Sequence, residues 1–353
     1  MPTESDSLSF LSVISLASFF VALITNKFSN KIRNGILLDN DFEKPQAFHK
    51  EAVARSGGLA SIISLIIFFA IYYFLFQKVL IDYLIISSAL FLIGFLDDIK
   101  FRINPNFRLI LMIIILSLSI IYFSINIDKT HLGFLDIWLE NKIFHSIFVL
   151  LCFLFIINGA NLVDGFNGLL AIHLIVINCI LLFININSGE TDLVMLLTGQ
   201  IVILACFLLF NFPKAKMFLG DGGSYLFGSL VALNIIKTNN LNPEISSFFF
   251  CILLFYLFFE VFFSFFRKLY LKKSPLKPDN NHLHMLLYNY LEKTKKFRDC
   301  NYLNSIFINV IYFSLILPSL YFKGSGLICR YWFFFLLILY ISFYFRLYSF
   351  TKK

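Results

Sequence analysis

The chain has 353 residues, 59% of them hydrophobic and only 14% charged, with 47 phenylalanines and a formal net charge of +8 at pH 7. A water-soluble domain carries about a quarter charged residues, and a mean hydropathy of +0.82 leaves too little polar surface to clothe this one. Composition therefore excludes a soluble globule and predicts a single integral membrane domain over residues 1–353.

Apolar runs able to cross a hydrocarbon core of about 30 Å recur along the whole chain, each needing roughly 20 residues as helix. Eleven are predicted, at 8–26, 58–76, 79–96, 107–127, 143–160, 168–186, 192–212, 222–236, 246–266, 302–322 and 329–349. The eighth is short and glycine-rich, which predicts a tilted or protein-buried helix. Glu4 and Asp6 precede the first run, and Lys27, Lys31 and Arg33 follow it, so the basic bias orients it N-terminus outside and marks a span, not a cleaved leader. Alternation then places segments 27–57, 97–108, 212–221, 267–301 and the C-terminus inside, and these hold 23 of the 29 Lys and Arg. The predicted fold class is an all-α polytopic membrane protein of about eleven transmembrane helices, N-terminus outside and C-terminus cytosolic. No CxxC pair occurs among the six cysteines, which argues against a disulfide framework or zinc site.

With that orientation the unusual polar clusters all fall on the cytosolic side. They are HKEAVARSGG (49–58), GFLDDIKFRINPNFRL (94–109), NGANLVDGFNGLL (158–170), MFLGDGGS (217–224) and the stretch from Glu260 to Met285, which enters a cytosolic histidine-containing loop over 267–301. Lys50, Arg55, Lys272 and Lys273 also suit simple positive-inside anchors. His131, His145 and His173 lack polar company and read as structural. Asp97 and Asp98 differ, because adjacent carboxylates repel unless a cation holds them. Asp164 and Asp221, set among glycines at span ends, carry the same implication, since an unpaired carboxylate at the edge of hydrocarbon is costly. Asn158, Asn161 and Asp164 lie within about a third of a helix circumference and could converge on one ligand. Glu260 and Arg267 share a helix face. His282 and His284 would splay on a helix, but an extended stretch after Pro275 and Pro278 lets both line one wall.

Several carboxylates with lysines, arginines, two histidines and glycine-rich turns suit a hard cation and phosphate groups better than a soft metal. No GxxxxGK[ST] is present, which excludes a P-loop enzyme. Reactive groups at span ends fit a lipid-borne phosphate meeting a partner from the cytosol, and phosphoryl transfer asks mainly for positioning and charge neutralisation. A transporter or flippase is the rival class, but it should place ionisable groups near the bilayer midplane. A non-catalytic scaffold would leave the paired aspartates and the histidine loop unexplained.

The motifs HKxxxxRxGG, GxxDD with Pro-x-x-basic-Leu, NxxNxxDGxxGL, FxGDxGS and the histidine loop, in this order over residues 44–290, resemble the polyprenyl-phosphate N-acetylhexosamine-1-phosphate transferase superfamily. The resemblance implies Mg²⁺-dependent (or Mn²⁺-supported) transfer of a sugar 1-phosphate from a UDP-sugar to undecaprenyl phosphate, releasing UMP. It implies a multi-pass protein of the bacterial inner membrane with its active site facing the cytosol. It allows a homodimer and implies no nucleic-acid partner. Carried over by position, Asp221 matches the magnesium ligand. Asp97 and Asp98 match a pair that deprotonates the prenyl phosphate or helps hold the metal, and Asp164 matches an essential aspartate once proposed as nucleophile. Phe218 matches the aromatic that stacks on uracil, and Lys50, Arg108, His282 and His284 match groups near the phosphates and sugar. Arg55, Asn158, Asn161, Glu260 and Arg267 complete the expected substrate-binding set. A direct attack by the prenyl phosphate is expected in preference to an aspartyl-phosphate intermediate. Asn167 stands where the family often has Asp and keeps an oxygen able to accept from uracil. Arg108 replaces a common Lys, Glu260 a common Asp, and the histidine motif is shortened to His282-Leu283-His284-Met285. The Asn in DGFNG and the short histidine motif favour an O-antigen, capsule or cell-envelope enzyme acting on an N-acetylhexosamine or a 6-deoxy derivative over the peptidoglycan phospho-MurNAc-pentapeptide transferase.

Overall fold

The structure, a computed structural model, describes residues 4–29, 31, 35–40, 48, 51–101, 103–274 and 279–352, with side chains described between 8 and 351. Hydrocarbon offers backbone groups no partner, so a long apolar run closes its hydrogen bonds within itself as helix. The chain forms α1 (Glu4–Ser29), β1 (Leu38–Asp39), β2 (Val53–Ala54), α2 (Gly57–Phe76), α3 (Ile81–Asp98), α4 (Pro105–Tyr122) and a short α5 (Gly133–Leu139). Then come α6 (Lys142–Val163), α7 (Leu169–Asn185), α8 (Thr191–Asn211), α9 (Gly220–Leu241), α10 (Ser247–Leu253), α11 (Phe255–Tyr270), α12 (Leu283–Thr294), α13 (Cys300–Ile316) and α14 (Gly326–Lys352). All eleven predicted runs are helical. Among the described residues seven helices are long and apolar enough to cross a membrane (α1, α2, α4, α6, α8, α13 and α14), and α10 with α11 would make an eighth. Of the remaining predicted spans, α3 carries three aspartates, α7 has 17 residues, and α9 is rich in Gly, Ser and Asn. The protein is an all-α polytopic membrane protein.

Two expectations need correction. The ninth run is not one straight helix: α10 and α11 are bent by 73° at Leu254. Neither Pro nor Gly stands there; the Tyr312 hydroxyl, from α13, donates to the Leu253 carbonyl at 2.6 Å and satisfies a group the break releases. The eighth run is buried as expected but not short, since α9 spans 22 residues, 18 of them buried. Its polar residues face other helices: Asn234 joins Asn178 of α7 and Gln200 of α8 in a buried amide cluster, and Thr238 meets Asn185. Helix α9 is thus the hub, packed against α2, α3, α6 and α7.

Up-and-down packing gathers the helix ends at two poles. At one, Asp192 at the start of α8 takes Tyr72 and Lys78 from the end of α2, each at 2.7 Å. At the other, the ends of α3, α6 and α8 meet the starts of α2, α4, α7 and α9, and a small sheet closes over them. There β1 pairs antiparallel with β2, Leu38 opposite Ala54 and Asp39 opposite Val53, and Ala54 bridges to Met217 in parallel.

Candidate active site

The site is built around the first turn of α9. Gly220 adopts φ +77°, a region that favours glycine, and the turn it starts aims the backbone N–H groups of Asp221 and Gly222 at α3. Both are taken by Asp98, whose Oδ1 accepts from Asp221 at 3.0 Å and Oδ2 from Gly222 at 2.8 Å. The neighbouring Asp97 points elsewhere. Its Oδ2 lies 3.3 Å from Nη1 of Arg108, the same nitrogen that donates to Asp221 Oδ2 at 2.8 Å. Arg108 is placed by the first turn of α4, which Asn104 caps and Pro105 opens. One guanidinium therefore holds two carboxylates from different helices, and their side chains remain 32% and 20% exposed.

Arg55 follows β2, its backbone N–H donating to Leu37. Its guanidinium binds Asp39 at 2.7 Å and lies 3.6 Å from Asp98 Oδ1. Burial works against the Arg55 charge, but the carboxylates of Asp221, Asp39 and Asp98 outweigh it and hold that charge more firmly than usual. Asp164 lies just past α6. Burial first, then the Asp221 carboxylate, pushes its carboxyl up to about 7, against the pull of Arg55 and the Gly220 N–H.

Of the expected asparagines, Asn161 reaches the cluster by donating to Ser224 Oγ at 3.1 Å, and Ser224 in turn donates to the Asp221 carbonyl. Asn158 instead donates to the Leu154 carbonyl one turn back in its own helix. Expected to converge with Asn161 and Asp164, it makes no hydrogen bond to either among the described residues. Asn167 donates to the Pro213 carbonyl at 2.9 Å, tying the 164–168 turn to the approach to α9. Phe218 is strapped by its backbone to Ala54 and Gly57 beside that turn. Lys50 lies outside the described residues.

A second group surrounds the start of α12. Glu260, 1% exposed, accepts from the Leu283 N–H at 3.0 Å and the Tyr340 hydroxyl at 2.8 Å, and lies 3.1 Å from His282 Nδ1. Arg267 binds Asp279 at 2.9 Å, and Asp279 Oδ1 lies 3.4 Å from His282 Nε2. Expected at the substrate, Glu260, Arg267 and His282 face one another, with both ring nitrogens of His282 beside carboxylates. His284 is different. Its Nδ1 meets the Tyr256 hydroxyl at 3.1 Å, while Nε2 is buried without a partner among the described residues, 3.7 Å from where a Cβ on Gly165 would stand. The backbone is extended at His282, while His284 lies in the first turn of α12, and the two rings lie parallel, 5.6 Å apart; Pro275 and Pro278 lie outside the described residues. Burial lowers the His284 value to about 4, so the ring is neutral at pH 7.

Sequence reasoning missed Asp39, Asp279 and Ser224. Asp39 and Asp279 lie in segments already polar, where a carboxylate carries no signal. Ser224 stood inside a quoted motif without a role. Among the described residues no three His, Cys, Asp or Glu side chains form a ready-made metal cluster.

Fold and site together define a polytopic membrane protein with an acidic, arginine-braced centre at one pole of its helices. A glycosyl transferase family 4 model matches residues 80–239, which span α3 to α9. An undecaprenyl-phosphate alpha-N-acetylglucosaminyl 1-phosphate transferase of Thermotoga maritima is 28% identical over 281 residues, covering 79% of this chain and 81% of the relative. Phospho-N-acetylmuramoyl-pentapeptide-transferases of Dictyoglomus turgidum (29% over 233 residues; 63% and 73% covered) and Clostridioides difficile (26% over 289; 78% and 87%) are also similar. These similarities support the resemblance to the polyprenyl-phosphate N-acetylhexosamine-1-phosphate transferase superfamily.

Proposed function

We propose that this protein transfers a sugar 1-phosphate from a UDP-sugar to undecaprenyl phosphate, forming undecaprenyl-diphospho-sugar and UMP. The observation that carries the reading is that Asp97 and Asp221, from different helices, share Arg108 at the pole where Asp164 and Arg55 also lie. Such a centre suits two phosphates and a hard cation. The donor chemistry fits Mg²⁺, because the open ligands are all carboxylate oxygens and a cation of this kind completes its shell with phosphate oxygens and water. Asp221 and Asp97 would hold it, and Mn²⁺ could substitute; when bound, it neutralises phosphate charge.

In the reaction an oxygen of the prenyl phosphate attacks the β-phosphorus of the donor. The bond from that phosphorus to the bridging oxygen breaks, and UMP leaves with the electron pair. Arg108 and Arg55, with Lys50, would orient the phosphates. Phe218 and Asn167 would receive the uracil, and the open Nε2 of His284 would face the sugar or its phosphate. A one-step path needs no covalent enzyme intermediate, which leaves Asp164 to position and to exchange a proton.

We read the topology as eleven spans, with the N-terminus outside and the acidic pole on the cytosolic face of the bacterial inner membrane, since the sequence segments richest in Lys and Arg alternate onto that side. The sugar would be an N-acetylhexosamine or a 6-deoxy derivative, destined for O-antigen, capsule or another envelope glycan. The peptidoglycan reaction is the second reading, favoured by the names of two relatives. Purified protein should be given undecaprenyl phosphate, Mg²⁺ and, in turn, UDP-N-acetyl sugars, their 6-deoxy analogues and UDP-MurNAc-pentapeptide. Cation-dependent UMP release with a simple UDP-sugar is expected. Release only with the pentapeptide donor would establish the second reading, and release with none would favour a transporter.

A further inference from the structure

Two of the acidic residues expected to act together are in different situations. The side chain of Asp97 is 32% exposed and that of Asp221 20%, whereas that of Asp98 is 1% exposed. Asp98 spends one oxygen on each of two N–H groups in the first turn of α9, as an N-cap side chain does, except that it reaches from another helix. A carboxylate there also complements the partial positive charge of the helix N-terminus.

The surrounding glycines fit this cap. A Cβ on Gly220 would stand 2.6 to 2.8 Å from the Asp98 carboxyl, and one on Gly222 would stand 3.2 Å from Oδ2. Gly94, one turn before Asp98, leaves room for the Asp221 backbone, with which any Cβ would collide. Gly94 and Asp98, four apart on one face of α3, thus form a seat for the Gly220–Gly222 turn. No space is left between the Asp98 oxygens and that turn for an ion. On the far side Arg55 lies 3.6 Å from Asp98 and is itself bound to Asp39 in the small sheet.

We infer that Asp98 is a positioning residue: it caps α9 from α3, with Arg55 and Asp39 as its brace, and so sets where Asp221 points, while Asp97 and Asp221 are the carboxylates that meet the cation and phosphates. The inference deepens the proposed reaction and rests on it.

The test uses the full-length protein in detergent, with Mn²⁺ as probe for binding and UMP release for kcat and KM. Asp221→Asn should weaken Mn²⁺ binding by about a hundredfold or more. Asp98→Asn, which keeps one acceptor, should weaken it by only about tenfold, the scale for a group supporting a ligand. It should lower kcat while leaving the donor KM within about twofold. Asp98→Ala should be worse than Asp98→Asn in kcat and in thermal unfolding temperature, because a cap is graded by its acceptors whereas a metal ligand or base is lost in both. Asp39→Asn, the milder change, should lower kcat about threefold alone and add nothing to Asp98→Asn, as coupled neighbours do. Loss of Mn²⁺ binding in Asp98→Asn as deep as in Asp221→Asn, equal Asn and Ala variants, or additive Asp39 and Asp98 effects would overturn the inference. Undiminished Mn²⁺ binding in Asp221→Asn would instead sink the proposed site, with the thermal order of Asp98 variants still deciding whether the cap exists.

Discussion

The acidic cluster and the histidine clamp lie at the same pole and use similar residues, yet they end in different electrostatic states. Among the described residues, Asp97, Asp98, Asp164 and Asp221 are faced by the guanidiniums of Arg55 and Arg108 and by backbone N–H groups of the first turn of α9. Around His282, by contrast, Glu260 and Asp279 are matched by Arg267, a backbone N–H, a tyrosine hydroxyl and the imidazole itself. Buried like charges are costly unless something offsets them. The first region therefore carries an excess of carboxylates over guanidiniums, which the proposed cation would offset. The second is more nearly balanced and acts as a fastening that ties the 279–283 segment to α11 and α14; among the described residues His284 Nε2 and Arg267 Nε are left without a partner.

The sharpest way to break this contrast is at the acidic region. Asp221→Asn should reduce UMP release by about a thousandfold or more while the protein still purifies folded, because it removes charge from the reacting centre. Activity within tenfold of wild type would end the assignment. Arg108→Gln, which releases the shared guanidinium, should cost about a hundredfold in kcat/KM; a change confined to thermal stability would make Arg108 a mere brace. Glu260→Gln belongs to the more nearly balanced region and should do the reverse, lowering stability by about 1–3 kcal/mol, as for a buried hydrogen-bonded group losing an acceptor, with activity changed by less than about fivefold. Thermal unfolding in detergent and steady-state assays would separate the two.

The smallest expected effect is on pH. With the Asp164 carboxyl pushed up to about 7 by burial and the Asp221 carboxylate, a proton must leave before a cation is fully held. Mn²⁺ binding should therefore tighten between pH 6 and pH 8 by up to about tenfold, and Asp164→Asn should flatten that dependence. The sign for stability is opposite. A carboxyl whose folded value is raised above its unfolded value near 3.8 loses stability as pH rises through that interval, so the cation-free protein should unfold more easily at pH 8 than at pH 6.

Much of the acidic cluster was legible because its members stand out: Asp97, Asp164 and Asp221 interrupt or end apolar runs, where a carboxylate needs a reason to be. Asp39 and Asp279 carry no such contrast, and only the folded chain shows them bracing Arg55 and Arg267. Asn158 shows the converse. Its spacing from Asn161 was sound, but a shared helix face does not say whether an amide turns to a ligand or back to its own helix. The bend at Leu254 was illegible for a related reason, since the hydroxyl that stabilises it comes from Tyr312, far along the chain.

By itself the sequence determined that this protein lives in a bilayer, that its long apolar runs are helical though not that the short α5 and α12 are, and that acidic and basic residues gather at helix ends, since hydrophobicity and backbone satisfaction are local properties of each run. Tertiary structure decided how those residues divide the work: which aspartate caps a neighbouring helix, which two share an arginine, and which histidine keeps a free nitrogen. These are questions of who meets whom across helices, and they depend on glycine-sized gaps and directions that no single segment contains.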